Sequence, residues 1–139
     1  MKELTLPAVI ESIDKAVDFV NSQLEAADCP PKIMVQIDVA IDELFGNIAQ
    51  YAYGKDTGQA IVRVEVTGEP AVIITFADSG MPYNPLQRPD PDIEEAPEDR
   101  QIGGLGIFMV KKSMDDIEYE YKDGQNILRI KKYMERKNG

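Results

Sequence analysis

Three short stretches of this 139-residue chain combine residue types and spacings that could do chemistry: Glu43 with Asn47, Asp78 with Gly80, and Gly103-Gly104-Leu105-Gly106. Asp78 follows Ala71-Val72-Ile73-Ile74-Thr75-Phe76-Ala77, an apolar run rich in β-branched residues that predicts a buried strand. Its carboxylate therefore falls at a strand end, where open α/β sheets place ligand groups. There it can accept a hydrogen bond from an exocyclic amine such as adenine's, and Gly80, lacking a Cβ, leaves room for a flat ring. Taken alone, Asp78-Ser79-Gly80 is also ordinary turn chemistry. The glycine run precedes an apolar pattern of helical spacing that includes Leu105, Phe108 and Met109. The unpaired first-turn N–H groups of such a helix, and its positive dipole end, favour phosphate oxygens. Glycines inside a helix cost roughly 1 kcal/mol each, a cost that a ligand site would explain. A flexible loop leading into a helix is the other reading, because the tetrapeptide matches neither the dinucleotide fingerprint nor the lysine-bearing phosphate loop.

Glu43 and Asn47 lie on a predicted helix of about Pro31 to Tyr53, whose apolar face is Ile33, Ile37, Ala40, Ile41, Leu44, Ile48 and Tyr51. At about 100° per residue, Gln36, Glu43, Asn47 and Gln50 share a sector of roughly 60° beside that face. One turn apart and bordering the core, Glu43 and Asn47 suit two tasks at a triphosphate. The amide oxygen can ligate Mg²⁺, a hard ion, and the carboxylate can orient or deprotonate an attacking hydroxyl or water. A solvated boundary stripe is the alternative, since Gln, Glu and Asn are common at such borders.

Composition narrows the chemistry. The chain contains no histidine, so an imidazole base, a phosphohistidine and a Ser-His-Asp triad are all excluded within it, and proton transfer falls to a carboxylate. Fifteen basic against 25 acidic residues give a net charge of −10, which argues against nucleic acid or an anionic membrane as partner. The single Cys29 fits a reducing compartment, and the chain offers no apolar run near the roughly 20 residues of a membrane span. A cytoplasmic protein is expected, folded as a single domain over residues 1–139.

The elements that must position these groups follow from periodicity. Lys2 to Leu6 reads as an edge strand, Pro7 as the first position of a helix, and Val9, Ile13, Val17, Val20 and Leu24 as its apolar stripe. Ala60 to Thr67 alternates and should form a hairpin with the strand ending at Asp78, through Gly68-Glu69-Pro70. A third helix follows the glycines, and Asp123-Gly124 predicts a final hairpin of residues 117–122 and 126–133. Helix, helix, hairpin is an α+β order. Between Met81 and Ile102 lie five of the nine prolines and a cluster of acids. So long a connection inside a domain suggests a lid of about residues 81–102. Being acidic, it should not close on a polyphosphate without Mg²⁺ and a cation; Arg88 and Arg100 are its only positive charges, and Arg100 lies next to the glycines. A passive, solvated loop is the alternative.

Taken in order, Glu43-Leu44-Phe45-Gly46-Asn47 with Ala52-Tyr53, Asp78-Ser79-Gly80-Met81-Pro82-Tyr83-Asn84-Pro85, and Gly103-Gly104-Leu105-Gly106 resemble the three nucleotide boxes of the GHKL (histidine-kinase-like) ATPase superfamily. Within it the chain resembles the anti-sigma-factor serine/threonine kinases. The resemblance implies a two-layer α/β sandwich of the Bergerat type, with a mixed, mostly antiparallel sheet and three helices on one face. It implies ATP and Mg²⁺ as cofactors, with Asn47 as metal ligand and Glu43 as catalytic base. Asp78 would read the adenine and Gly80 would make room for the ring. Pro82, Arg100, Gly103, Gly104, Leu105 and Gly106 complete the nucleotide site by the same resemblance. The implied partners are an anti-anti-sigma protein of the STAS type, phosphorylated on serine, and a sigma factor bound competitively, with the kinase often a homodimer. Tyr51 stands where many relatives carry histidine, and Asn126-Ile127-Leu128 where many have threonine. A nucleotide-gated binding module with little or no transfer activity is the second reading.

Overall fold

The computed structural model describes residues 1–53, 56, 58–87 and 104–134, with only the backbone of Gly104 and Leu105. Strand β1 (Lys2–Pro7) leads through a 3-10 turn at Ile10–Ser12 into helices α1 (Ile13–Ala26) and α2 (Pro31–Tyr51). Strands β2 (Gln59–Thr67) and β3 (Ala71–Asp78) come next, then a 3-10 turn at Pro85–Gln87, α3 (Gly104–Ser113), β4 (Asp116–Lys122) and β5 (Gln125–Tyr133). Most of the expected lid, residues 88–102, lies outside the described residues.

The five strands form one sheet in the order β1-β2-β3-β5-β4, and every pairing is antiparallel, so the sheet has no parallel pair among the described residues. One parity of each strand faces the helices. Rows such as Leu4–Val62–Phe76–Leu128–Tyr119 and Val64–Ile74–Ile130–Ile117 cross the sheet on that face. They pack against Val20 and Leu24 of α1, Ile37, Ile41 and Phe45 of α2, and Ile107 and Val110 of α3. The opposite parity carries ion pairs, Glu3–Arg63, Glu69–Lys131 and Arg129 with Glu118 and Glu120. These exposed pairs contribute little to stability.

Local chemistry explains the connections. The Thr67 hydroxyl accepts the N–H groups of Glu69 (3.4 Å) and Ala71 (3.2 Å), closing the β2–β3 turn. Asp123 and Gly124 both have positive φ (53° and 79°) between paired Lys122 and Gln125, the left-handed geometry a two-residue hairpin turn requires. Gln125 therefore opens β5 instead of belonging to the turn.

Two expectations are corrected at helix starts and ends. Pro7 does not begin a helix: it pairs with Gln59 at the end of β1, an edge strand, where a missing N–H is tolerated. The Ala8 N–H is held by the Gly58 carbonyl at 2.9 Å and Val9 is extended, so helical turns begin only at Ile10 and α1 at Ile13. Val9 is consequently exposed, while Ala16 joins Val20 and Leu24 in the buried stripe. Helix α2 stops at Tyr51. Tyr53 just beyond it turns its hydroxyl to the sheet, donating to the Gln59 carbonyl (2.6 Å) and accepting the Ser79 N–H (2.9 Å).

Candidate functional site

Asp78 ends β3 on the helix-covered face, in the cross-strand row Ala60–Asp78–Asn126, and is 5% exposed. Its Oδ1 accepts the Gly80 N–H at 2.9 Å and the Asn126 amide at 3.0 Å. Among the described residues no donor reaches Oδ2. Burial raises the Asp78 carboxyl from its ordinary value, and the hydrogen bonds from Asn126 and Gly80 pull it part of the way back. A carboxylate with one oxygen fastened and the other unused is an acceptor waiting for a donor.

That carboxylate opens into a cavity between α2 and the sheet. Leu44, Ile48, Phe76 and Leu128 give it apolar walls, and Met81, Tyr83 and Pro85 bound it from the loop after β3. Its polar lining is Asn47, Asp78, Tyr119 and Asn126. A concave, largely apolar slot with a few convergent polar groups is the usual form of a small-molecule site. Tyr83 is held in place by stacking on Tyr51 of α2, with ring centroids 5.5 Å apart and planes tilted by 38°.

Asn47 and Asp78 thus line the same cavity, although they come from different elements. The Asn47 Nδ2 is buried and has no hydrogen-bond partner among the described residues. No bond from the described residues fixes the rotation of this amide, so its oxygen can equally face the cavity. Glu43, one turn earlier, is half-buried and lies on α3: a Cβ built on Gly106 would fall 2.1 Å from the Glu43 Cδ and Oε2. The bare backbone at Gly106 is what lets the first turn of α3 meet this carboxylate. The three sequence stretches therefore meet through α2, with Asp78 and Asn47 around one cavity and Glu43, one turn before Asn47, against α3.

Other expected residues fare differently. Gly80 has a demand on it that the sequence did not suggest: a Cβ there would sit 2.0 Å from the Ala52 carbonyl oxygen, which also accepts the Met81 N–H at 2.7 Å. Close packing of the loop on the end of α2 is enough to require glycine, without a ring. Pro82 is exposed and borders, with Asn84 and Gln87, a shallow open depression instead of the Asp78 cavity. Gly104 and Leu105 form the start of α3, and Arg100 and Gly103 lie outside the described residues.

Sequence reasoning noted Asn126 only as standing where many relatives have threonine and gave it no role in the site. A polar side chain at 126 shares strand parity with apolar Leu128 and Ile130, and that mismatch was the available signal.

Among the described residues no group of three or more His, Cys, Asp or Glu side chains could hold a metal ion. The donor set fits a different arrangement, in which Mg²⁺ keeps waters, takes one or two protein oxygens and shares substrate phosphates. An unpaired buried amide at Asn47 is compatible with that role. No described helix is long and apolar enough to cross a membrane.

The family description that fits the chain is the histidine kinase-like ATPase domain, matched over residues 6–132. Similar sequences include the serine-protein kinase RsbW of Bacillus mycoides (strain KBAB4), 32% identical over 107 residues, covering 74% of this chain and 66% of that protein. RsbW of Bacillus thuringiensis (strain Al Hakam) is 33% identical over 102 residues, covering 70% and 62% respectively. The match thus spans less than two thirds of these relatives' own length. Among solved structures, the RsbU and RsbW domains of a Mycobacterium tuberculosis protein align over 98% of this chain and 33% of that one. The TM-score is 0.66 at 13% identity, a likeness of fold. The histidine kinase domain of the Erythrobacter litoralis EL346 blue-light activated kinase aligns over 76% and 46%, with a TM-score of 0.54 at 16% identity.

Proposed function

The chain belongs to the histidine kinase-like ATPase family, and on that premise we propose that it is an ATP- and Mg²⁺-dependent serine/threonine protein kinase of the anti-sigma type. Its substrate is a serine of an anti-anti-sigma partner, and it holds a sigma factor in competition with that partner, acting as a homodimer. The observation that carries the reading is the meeting of Asn47 and Asp78 at one cavity, with the Glu43 carboxylate one turn away on α2. The likeness to serine-protein kinases RsbW supports the choice of hydroxyl over histidine chemistry, as does the lack of any histidine in the chain.

In this reading the adenine lies in the apolar slot and donates its amino group to the free Oδ2 of Asp78. The triphosphate runs along α2 toward the first turn of α3, where backbone N–H groups and the helix dipole meet its charge. Gly104, Leu105 and Gly106 supply that turn, Gly103 and Arg100 precede it, and Pro82 shapes the loop beside the base. Asn47 would hold Mg²⁺, which supplies charge neutralisation on the phosphates. Glu43 accepts the proton of the partner's serine hydroxyl as its oxygen bonds to the γ-phosphorus, and ADP leaves. Little of this chemistry is covalent work by the protein; most of it is positioning.

The test is incubation with labelled ATP, Mg²⁺ and candidate anti-anti-sigma proteins. Label on a serine is the expected result. Tight ATP binding with no label on any of them would replace the kinase by a nucleotide-gated binding module. Asn47→Ala is expected to remove the Mg²⁺ dependence of ATP binding, measured by calorimetry with the metal and with a chelator. An unchanged Mg²⁺ dependence would refute the metal assignment.

A further inference from the structure

Asn126 is 6% exposed and uses every hydrogen-bonding capacity of its amide inside the protein. Its Nδ2 donates to Asp78 Oδ1 at 3.0 Å and to the Met81 carbonyl at 2.8 Å. Its Oδ1 accepts the Tyr83 N–H at 3.0 Å and the Tyr119 hydroxyl. A carboxylate and a carbonyl on one side, and an N–H on the other, fix which atom is nitrogen, so the amide cannot be reversed without mispairing both ends.

Four segments therefore close on one side chain: β5 itself, the end of β3, the loop after it and β4. With its lone pairs and protons all committed, Asn126 has nothing left to offer a ligand in the cavity it lines. Its effect on the cavity runs through Asp78. By occupying Oδ1 together with the Gly80 N–H, it fixes the carboxylate's rotation and leaves Oδ2, with no donor among the described residues, as the oxygen open to a ligand in the slot that Asp78 lines. By holding Met81 and Tyr83, it sets the loop that bounds the same slot at a fixed distance from that oxygen.

We infer that Asn126 is a positioning residue for base specificity, fastening Asp78 so that a single carboxylate oxygen reads the 6-amino group of a purine. The inference rests on the ATP-binding reading given above. A carboxylate held this way rewards a donor on the base and rejects an acceptor at the same place, as in guanine's 6-oxo group, because a buried charge facing a lone pair stays unpaired. A carboxylate free to rotate would read the same edge less strictly.

The experiment compares ATP with purine riboside triphosphate, which lacks only the 6-amino group, by calorimetry on the full chain. Wild-type protein is expected to prefer ATP by about tenfold or more, the scale of one charge-assisted hydrogen bond. In Asn126→Ala, Asn126→Leu and Asn126→Gln that preference should fall toward unity, chiefly through loss of ATP affinity. In an Asp78→Asn background the same replacements should change the preference no further, since both act through one contact. Equal weakening of both nucleotides, with the preference kept, would make Asn126 merely structural and overturn the inference. So would failure of all three variants to show a cooperative thermal melt. Wild-type protein that binds ATP without an amino preference overturns the inference and the Asp78 contact it uses but leaves ATP binding standing, whereas wild-type protein that binds no ATP overturns the reading beneath it.

Discussion

Glu43→Gln is expected to leave ATP binding largely intact while lowering phosphoryl transfer by about 10²–10⁴-fold, the usual contribution of a positioned general base. The substitution keeps the length and shape of the side chain, so the packing against Gly106 is preserved. What disappears is the capacity to take a proton, because an amide is not a base at neutral pH. Single-turnover transfer of labelled phosphate to the partner separates the two effects, since binding and chemistry are read apart. Undiminished transfer would remove Glu43 from the base role. A parallel loss of ATP affinity would mean that its carboxylate serves the phosphate end of the site instead.

The second large effect belongs to Asp78. In Asp78→Asn the amide oxygen can replace Oδ1 and keep the hydrogen bonds from Gly80 and Asn126, so the local fold is retained. The atom facing the slot then becomes an NH₂ donor opposed to the donor on adenine. A fall in ATP affinity of about 100-fold is expected, from the lost charge-assisted bond together with two donors left facing each other. The same residue sets a pH dependence. Burial holds the folded-state carboxyl above its ordinary value, so ATP affinity should begin to fall at a higher pH than an unperturbed aspartate would dictate. Stability runs the other way. A group whose pKa is raised on folding stabilises below its unfolded pKa, and that contribution is lost as pH rises through the folded value. Asp78→Asn should therefore be more stable than wild type at neutral pH relative to acid, read as the difference between the two proteins' melting temperatures across that range. A flat difference would mean that the carboxyl is not perturbed.

Much of the frame was legible because it rests on local periodicity. Val62 and Val64 alternating with Arg63 and Glu65 announce a strand with one wet face, and the ion pair from Arg63 to Glu3 lies on that face. Asp123-Gly124 announced its hairpin because few other residues accept two successive positive φ angles. Pro7 was misread because a rigid φ suits both a first helical turn and the end of an edge strand, and the choice was made by the distant Gly58 carbonyl. In α2, Phe45 escaped the apolar stripe because packing on the sheet below and on α1 and α3 to the sides buries a wider arc than one stripe. At the site, Glu43, Asn47 and Asp78 could be singled out by type and spacing. The role of Asn126 could not, since its partners lie 43 and 48 residues away at Tyr83 and Asp78. Gly80 shows the converse: the residue was noticed, but the Ala52 carbonyl that demands it belongs to another element.

The contact between Glu43 and the bare backbone at Gly106 has a mechanical consequence. A side chain resting on the opening turn of a neighbouring helix is geared to it, so a small tilt of α3 would be transmitted to the carboxylate as a change of aim. Since a misplacement of about 1 Å at a reacting group can cost on the order of 100-fold in rate, turnover in the proposed reaction would act as a sensitive gauge of where α3 sits. Whatever presses on that helix from outside would then throttle the chemistry without touching the base slot.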